Sequence, residues 1–293
     1  MRQSEQLATH LLDLEPQPDK LYSSPYYRCL QTLHPYITSL RARQKSDDVK
    51  VTIEPGVGEF YGTAPFTHPS PAGIEELNKH FDFLRSEAEP IIAANVKGES
   101  IAQLHDRVAY CLSELIARAD SDPNGPKAIL ICTHAAAIIA MGRVLTGVMP
   151  EDVGEEDFKC FTCGVSKFRR RKDARQSVPA SESKWDPQRP DDIPDLQWAD
   201  GRGLAGGWEC EANSDCSFLE NGEERGWYVF IPVVFLYVYS TFPNCIVVDT
   251  ISCLRVHLPV FNTRNFWMEK RRIEGLQAVS EAEDTGIAST AFL

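Results

Sequence analysis

Three side chains in this sequence have the types and settings needed to hold an anion and move a proton beside it. Arg28 stands in Tyr22-Ser-Ser-Pro-Tyr-Tyr-Arg-Cys-Leu-Gln-Thr32, just past a Ser-Ser-Pro turn and inside the amphipathic run that follows. A planar guanidinium can grip two oxygens of one anion, which a lysine ammonium cannot. His134 ends the apolar run that begins at Ala128 and precedes Ala135-Ala-Ala137. Small residues at a helix start let backbone N–H groups approach a negative ligand. Glu59 lies in Glu54-Pro-Gly-Val-Gly-Glu-Phe-Tyr-Gly62, where glycines let a loop bring a carboxylate close to a bound group. Taken singly, each has an ordinary reading: a solvated helix arginine, a satisfied core histidine, an exposed loop glutamate. Glu54 rivals Glu59, but the strand-like pattern before Pro55 sets it further back.

The pattern along the chain says which elements must carry these residues. Residues 2–14 form a helix with Leu7, Leu11, Leu12 and Leu14 on a rough stripe, ended by Pro16 and Pro18. Lys20 to Ser23 is a short buried strand. Pro25 suits the first turn of the next helix, which runs to about Arg43. Val51 to Glu54 is a second strand, and the Gly-, Pro- and Thr-rich stretch 55–73 is a long excursion over a site. Residues 73–94 are helical in pieces. Ser100 to Ala119 is the strongest helix, with Ile101, Leu104, Val108, Cys111, Leu112, Leu115 and Ile116 recurring at helical spacing. Ser100 is its N-cap, with Gln103 completing a capping box, and His105 beside its apolar face is structural. Lys127 to Cys132 is an uninterrupted apolar strand of the parallel-sheet kind. Ala135 to Leu145 is a helix closing at Gly147, and Phe158 to Arg169 is a last strand or hairpin. The alternation implies an α/β fold, a mostly parallel sheet with helices on both faces. Ligands of such sheets bind beyond the C-terminal strand ends. Ser23-Ser24 and Thr133-His134 both fall at such ends, so they should converge.

The Ser-Ser-Pro-Tyr-Tyr-Arg-Cys-Leu-Gln-Thr run and Cys132-Thr-His-Ala-Ala136 together resemble the histidine phosphatase superfamily, which includes phosphoglycerate mutases and acid phosphatases. The resemblance covers roughly residues 1–170. It implies a phosphoglycerate mutase-like fold and a phosphomonoester hydrolase working through phosphohistidine, with a phosphorylated substrate or phosphate as ligand. It makes Arg28 the second phosphate-binding arginine, His134 both a catalytic and a phosphate-binding residue that donates to the phosphoryl group, and Glu59 the catalytic acid. Gly98-Glu-Ser100 is similar to a further family turn. No metal or nucleotide cofactor is implied. The family's nucleophile is the histidine of an Arg-His-Gly motif on the first strand, and no Arg-His-Gly occurs in this sequence. His10, His34, His68 and His80 do not end a strand before a helix, so none replaces it. The expectation is therefore a sequence lacking an N-terminal segment and its first strand, and a chain inactive for want of the nucleophile. Within that family the sequence resembles a fungal branch similar to the TFIIIC tau subunit with a histidine-phosphatase domain. That branch brings a second reading, a non-catalytic interaction subunit of an RNA polymerase III transcription factor complex. A phosphoglycerate mutase-type phosphotransferase is a third.

Composition narrows the rest. The chain has 293 residues, 43 % of them hydrophobic and 25 % charged, and a formal net charge of −12. That charge argues against direct nucleic-acid binding by the whole chain. Lys167-Phe-Arg-Arg-Arg-Lys172 reads as a solvated strand end rather than a nuclear-import patch. Nine cysteines without an N-terminal signal peptide fit a reducing compartment, cytoplasmic or nuclear. Cys160-x-x-Cys163 has zinc-type spacing, but Cys210 and Cys216 are set too far apart to complete a site, so ordinary half-buried cysteines are expected. Tyr228 to Val248 is uncharged and long enough to span a bilayer, yet Pro232 and Pro243 interrupt it and it is β-branched and aromatic. No membrane span is expected. The organisation expected is a truncated histidine phosphatase-like domain over 1–170 and a Trp-, Pro- and Gly-rich extension over 171–227. A poorly ordered tail over 228–293 follows, with part of 228–260 reading as a translated intron.

Overall fold

The structure, a computed structural model, describes residues 2–63, 68–85, 89–152, 155–172, 184–224, 226, 235–239 and 246–250. The expected α/β architecture is present. Four parallel strands form one half of the sheet in the order β3 (Leu84–Arg85), β2 (Val51–Ile53), β1 (Lys20–Ser23) and β4 (Ala128–Thr133). All six residues of β4 are buried, as a strand covered on both faces requires. Its register with β1 sets Ser23 beside Cys132, so the chain leaves both strands at the same edge of the sheet. Ser24 N–H donates to the Cys132 carbonyl and Glu54 N–H to the Ser23 carbonyl, which carries the pairing one residue beyond β1 and β2.

The helices follow from their apolar spacing. α1 (Arg2–Leu12) buries Ser4, Leu7, Ala8 and Leu11, a single face at three- and four-residue steps, and packs on α2 (Tyr27–Gln44). α2 begins two residues past Pro25: Tyr26 is its N-cap, so the proline sits outside the first turn and shapes the entry. Pro35 lies inside α2 and has no N–H for the Gln31 carbonyl, a local loss the helix tolerates through its buried face of Leu30, Leu33, Tyr36, Ile37 and Leu40. α4 (Ile101–Ser121) starts with the expected capping box, both halves formed between Ser100 and Gln103. α5 (Ala135–Thr146) has His134 as N-cap residue and closes on Gly147 at φ 79°, a left-handed position that glycine takes without strain.

Residues 73–94 depart from the helical expectation. Among the described residues they give one short helix, α3 (Ile74–Asn78), and then β3, which pairs with β2. A two-residue edge strand carries no readable alternation. Similarly, β5 (Val165–Arg170) is joined by an antiparallel strand, β6 (Trp208–Asp215), inside a stretch that shows little periodicity. Most of β6 is polar, and its pairing is reinforced by Lys167–Glu211 and Arg169–Glu209 ion pairs across the two strands. Trp208 at its start is fully buried, donates from Nε1 to the Leu204 carbonyl at 3.1 Å and carries the Arg170 guanidinium 4.9 Å above its ring. Trp198 stacks on His105 with ring centres 5.8 Å apart, and the Trp185 N–H donates to the Tyr110 hydroxyl. Residues 184–215 are thereby strapped to α4 and β5.

The basic run 167–172 lies along β5 and just past it, paired with Glu209, Glu211 and Asp120. Within 228–293 the described residues are β7 (Phe235–Tyr239) and β8 (Ile246–Thr250), whose backbones pair between β4 and β5, β8 parallel to β4. The remaining expectations for that stretch, the intron reading among them, lie outside the described residues, as does Trp227. Among the described residues no helix is long and apolar enough to cross a membrane. Likewise, no group of three or more His, Cys, Asp and Glu side chains among them is placed to hold a metal. Cys160 and Cys163 are both buried free thiols.

Candidate functional site

The expected convergence occurs at the C-terminal ends of β1 and β4. The three residues singled out in the sequence meet there, each brought by a different element. Arg28 is in the first turn of α2, His134 is the hinge between β4 and α5, and Glu59 follows a short 3-10 turn, Pro55–Val57, after β2. Arg28 Nη2 lies 2.5 Å from Glu59 Oε2, and His134 Nδ1 lies 3.0 Å from that same oxygen. Glu59 Oε1 accepts from the Phe60 N–H at 3.1 Å. His134 and Glu59 are buried, whereas the Arg28 side chain is 23 % exposed and reaches toward solvent. Its Nε is buried and has no partner among the described residues, a donor available to an anion.

Charge follows from this packing. Burial alone would lower the pKa of His134, but the negative groups of Cys29 and Glu59 outweigh it and raise the ring to about 9. The imidazolium then donates from Nε2 to Ser24 Oγ at 2.6 Å and from Nδ1 to Glu59. The Arg28 Nη2 atom 3.0 Å from Nδ1 shares the carboxylate oxygen instead of donating to the ring. Burial would raise the Glu59 carboxyl, yet His134 and Arg28 together hold it below the usual value. Cys29 Sγ stands 3.7 Å from His134 Nε2. Burial disfavours its thiolate, but the Cys132 thiol and the charge of His134 pull it below the ordinary thiol range.

Glu54 has a different task from Glu59. Its two oxygens accept from the backbone of Gly56 at 2.8 Å and of Ile91 at 3.0 Å, so it braces the loop. A second brace escaped the sequence reading. Arg107, fully buried on α4, makes a two-point ion pair with Glu99 (Nε–Oε2 2.8 Å, Nη2–Oε1 2.5 Å). Its Nη1 donates to the Gly56 carbonyl at 2.7 Å. Thr133 Oγ1 donates to the Val57 carbonyl on the other side. The turn that delivers Glu59 is therefore tied to both α4 and β4. The available signal was an arginine seated within the apolar stripe of α4, beside Leu104 and Val108, and paired with the Gly-Glu-Ser turn.

Three aromatic groups cover the site. Tyr26 meets the His134 ring edge-on at 5.2 Å, the Arg28 guanidinium lies 5.1 Å over the Tyr26 ring, and Tyr61 stands between Tyr26 and His68. Ser24, Tyr26 and Tyr61 were not assigned roles from sequence, because a serine or tyrosine in a turn has no distinguishing pattern. His10, His34 and His80 lie elsewhere: His10 and His34 stack on Phe218 and Phe83, and His80 meets Phe81 edge-on. His105 is buried, bonded through Nδ1 to the Ile101 carbonyl, and pushed down to about 4 by that burial, a structural residue as expected.

Comparison with known proteins gives a family for the chain. Residues 1–181 match the family model described as histidine phosphatase superfamily (branch 1). The transcription factor tau 55 kDa subunit of Saccharomyces cerevisiae is 27% identical over 234 residues, covering 78% of this chain and 49% of the yeast protein. The ecdysteroid-phosphate phosphatase of Drosophila melanogaster is 28% identical over 150 residues, 50% of this chain and 19% of that protein. The chain thus spans about half the length of the yeast relative and about a fifth of the fly one. A crystal structure of the ecdysone phosphate phosphatase from Bombix mori in complex with tungstate superposes with a TM-score of 0.43 at 20% identity, covering 53% of this chain and 60% of that one. The family match takes in both strand ends and all three residues of the pocket, and the chain belongs to the histidine phosphatase superfamily, branch 1.

Proposed function

We propose that this chain carries a phosphoryl-binding pocket of the histidine phosphatase type, built from Arg28, His134 and Glu59, and that its ancestral chemistry is phosphomonoester hydrolysis. The observation that carries this is the meeting of a guanidinium, an imidazolium and a carboxyl within 3.0 Å of one another at the sheet's C-terminal edge. Two fixed cations suit the oxygens of a phosphoryl group and the charge that develops on them during transfer. Glu59, once protonated, is placed to give its proton to a leaving oxygen. The sequence has no Arg-His-Gly motif, so a polypeptide of this sequence has no phosphorus nucleophile of the family's kind.

The expected outcome is binding without turnover. Hydrolysis of p-nitrophenyl phosphate stays at background, because losing a covalent nucleophile costs several orders of magnitude. Titration with vanadate still gives saturable binding, which Arg28→Ala abolishes. Turnover at the rate of an intact phosphatase contradicts the inactive reading, and equal vanadate binding by Arg28→Ala contradicts the pocket.

A second reading has an observation of its own. Similarity to the yeast transcription factor subunit extends over 78% of the chain, against 50% for the fly phosphatase. That favours an interaction role in a nuclear transcription complex, with the strapped 184–215 segment as part of the shared surface. Co-purification of tagged protein with subunits of such a complex supports it, and recovery of the protein free of them counts against it.

A further inference from the structure

The two cations of the pocket are already occupied. Glu59 Oε2 takes Arg28 Nη2 at 2.5 Å and His134 Nδ1 at 3.0 Å, the same donors that a phosphoryl group would need. The carboxylate is 4 % exposed, and the loop behind it is tied down by Arg107 and Thr133, so it has little room to swing clear. An entering oxyanion would sit against a carboxylate of the same sign in a site shielded from water. Two anions that close do not both remain ionised: one of them takes a proton. We propose that Glu59 is a resident competitor for the anion site, and that a tetrahedral oxyanion enters together with one proton, which ends on the Glu59 carboxyl.

The neighbours point to Glu59 as the group that titrates. Facing it from α2 are Arg28 and, behind the ring, Cys29; from the cap of that helix comes Tyr26, and from its own loop Tyr61. His134 faces it from the β4–α5 hinge and Arg107 from α4. Both arginines and the imidazolium carry their protons already, and burial pushes both tyrosines upward, away from neutral pH. Glu59 is held ionised by Arg28 and His134, so turning those cations toward an anion removes what keeps its proton off. Cys29 is the remaining candidate, and it lies on the Nε2 side of the ring, away from the Nδ1 face that Glu59 and Arg28 share. The coupling would also arm the site. The same proton that lets the anion in converts Glu59 from a competitor into an acid able to donate to an ester oxygen.

This rests on the reading of the pocket as a phosphoryl site, and the test separates the two. Sulfate is the probe, because it stays a dianion across the neutral range. Calorimetric titrations of the whole chain over about pH 5.5 to 7.5 give an affinity that falls toward tenfold per pH unit, the limit for one linked proton. Repeating one pH in two buffers of different ionisation heat shows proton uptake directly. Glu59→Gln binds sulfate more tightly at the upper pH, by about tenfold or more, with no pH dependence. Cys29→Ser keeps the wild-type slope. A flat profile in the wild type, or Glu59→Gln binding no tighter, overturns the coupling while leaving the pocket intact. A slope lost in Cys29→Ser and kept in Glu59→Gln also overturns it. Failure of both wild type and Glu59→Gln to bind sulfate overturns the pocket and the coupling together.

Discussion

At the scale of single residues, one carboxylate oxygen organises the site. Arg28, His134 and Glu59 were each legible because each stands at a place where the chain changes element, and residue type at such a place carries information. Their partners were not legible in the same way. Ser24 on His134 Nε2 and Tyr26 against the ring are contacts between segments 110 residues apart in the first case, fixed by sheet register and by nothing local. The ring makes a direct prediction. In an imidazole-resolved NMR titration, His134 keeps both ring protons through neutral pH and loses one near pH 9, well above His105, whose proton leaves near pH 4. Replacing Glu59 by Gln removes a negative neighbour and lowers the His134 midpoint by about one unit or more. An ordinary midpoint near 6.5 in the wild type would show that the carboxylate and imidazole are not paired in solution. The carboxyl has the opposite sign. Its folded pKa is depressed, so its contribution to stability is present above the ordinary carboxylate range and is lost as pH falls through the lowered value.

At the scale of elements, the site depends on a loop that two neighbours hold in place. The strands and helices were readable where the burial pattern is strong: β4, α4 and α5 are continuous apolar runs or clear stripes, and three of the four residues of β1 are buried. β3 and β6 were not, because a two-residue strand and a polar edge strand draw their stability from pairing, not from their own pattern. The Glu99–Arg107 ion pair belongs at this scale. It is fully buried, and its arginine reaches the Gly56 carbonyl as well as its carboxylate partner. Arg107→Met strands Glu99 and is expected to cost about 3–5 kcal/mol in denaturant unfolding. The double change Arg107→Met, Glu99→Leu recovers much of that loss, because no unpaired charge remains buried. The double variant nevertheless leaves the Gly56 carbonyl without its donor, so the loop that delivers Glu59 is less firmly set and anion affinity falls even where stability returns. A double variant as unstable as the single one would assign the cost to packing and not to charge.

At the scale of the whole molecule, residues 184–215 are built into the body of the protein. The high Trp and low periodicity of that region hid a strand, β6, that completes the sheet edge, and tryptophans that fill the gap between β5, α4 and the 3-10 turn at Leu204–Gly206. Trp208 is the anchor of this arrangement. Trp208→Ala is expected to destabilise the chain by about 3–5 kcal/mol, as for other large aromatic truncations in a core. A loss below about 1 kcal/mol would mean that the segment packs loosely on the body of the protein. The similarity to the transcription factor subunit extends over more of the chain than the similarity to the fly phosphatase. Fold alone does not decide which use is made of such a site.

The central claim is that Arg28, Glu59 and His134 form one anion pocket. Its most direct test is a phosphate titration followed through the His134 ring signals, in the wild type and in Arg28→Ala. The account predicts a saturable shift of the His134 resonances in the wild type, with His80 and His34 unmoved, and no shift in the variant. A His134 signal that ignores phosphate, or one that moves equally without Arg28, would contradict it.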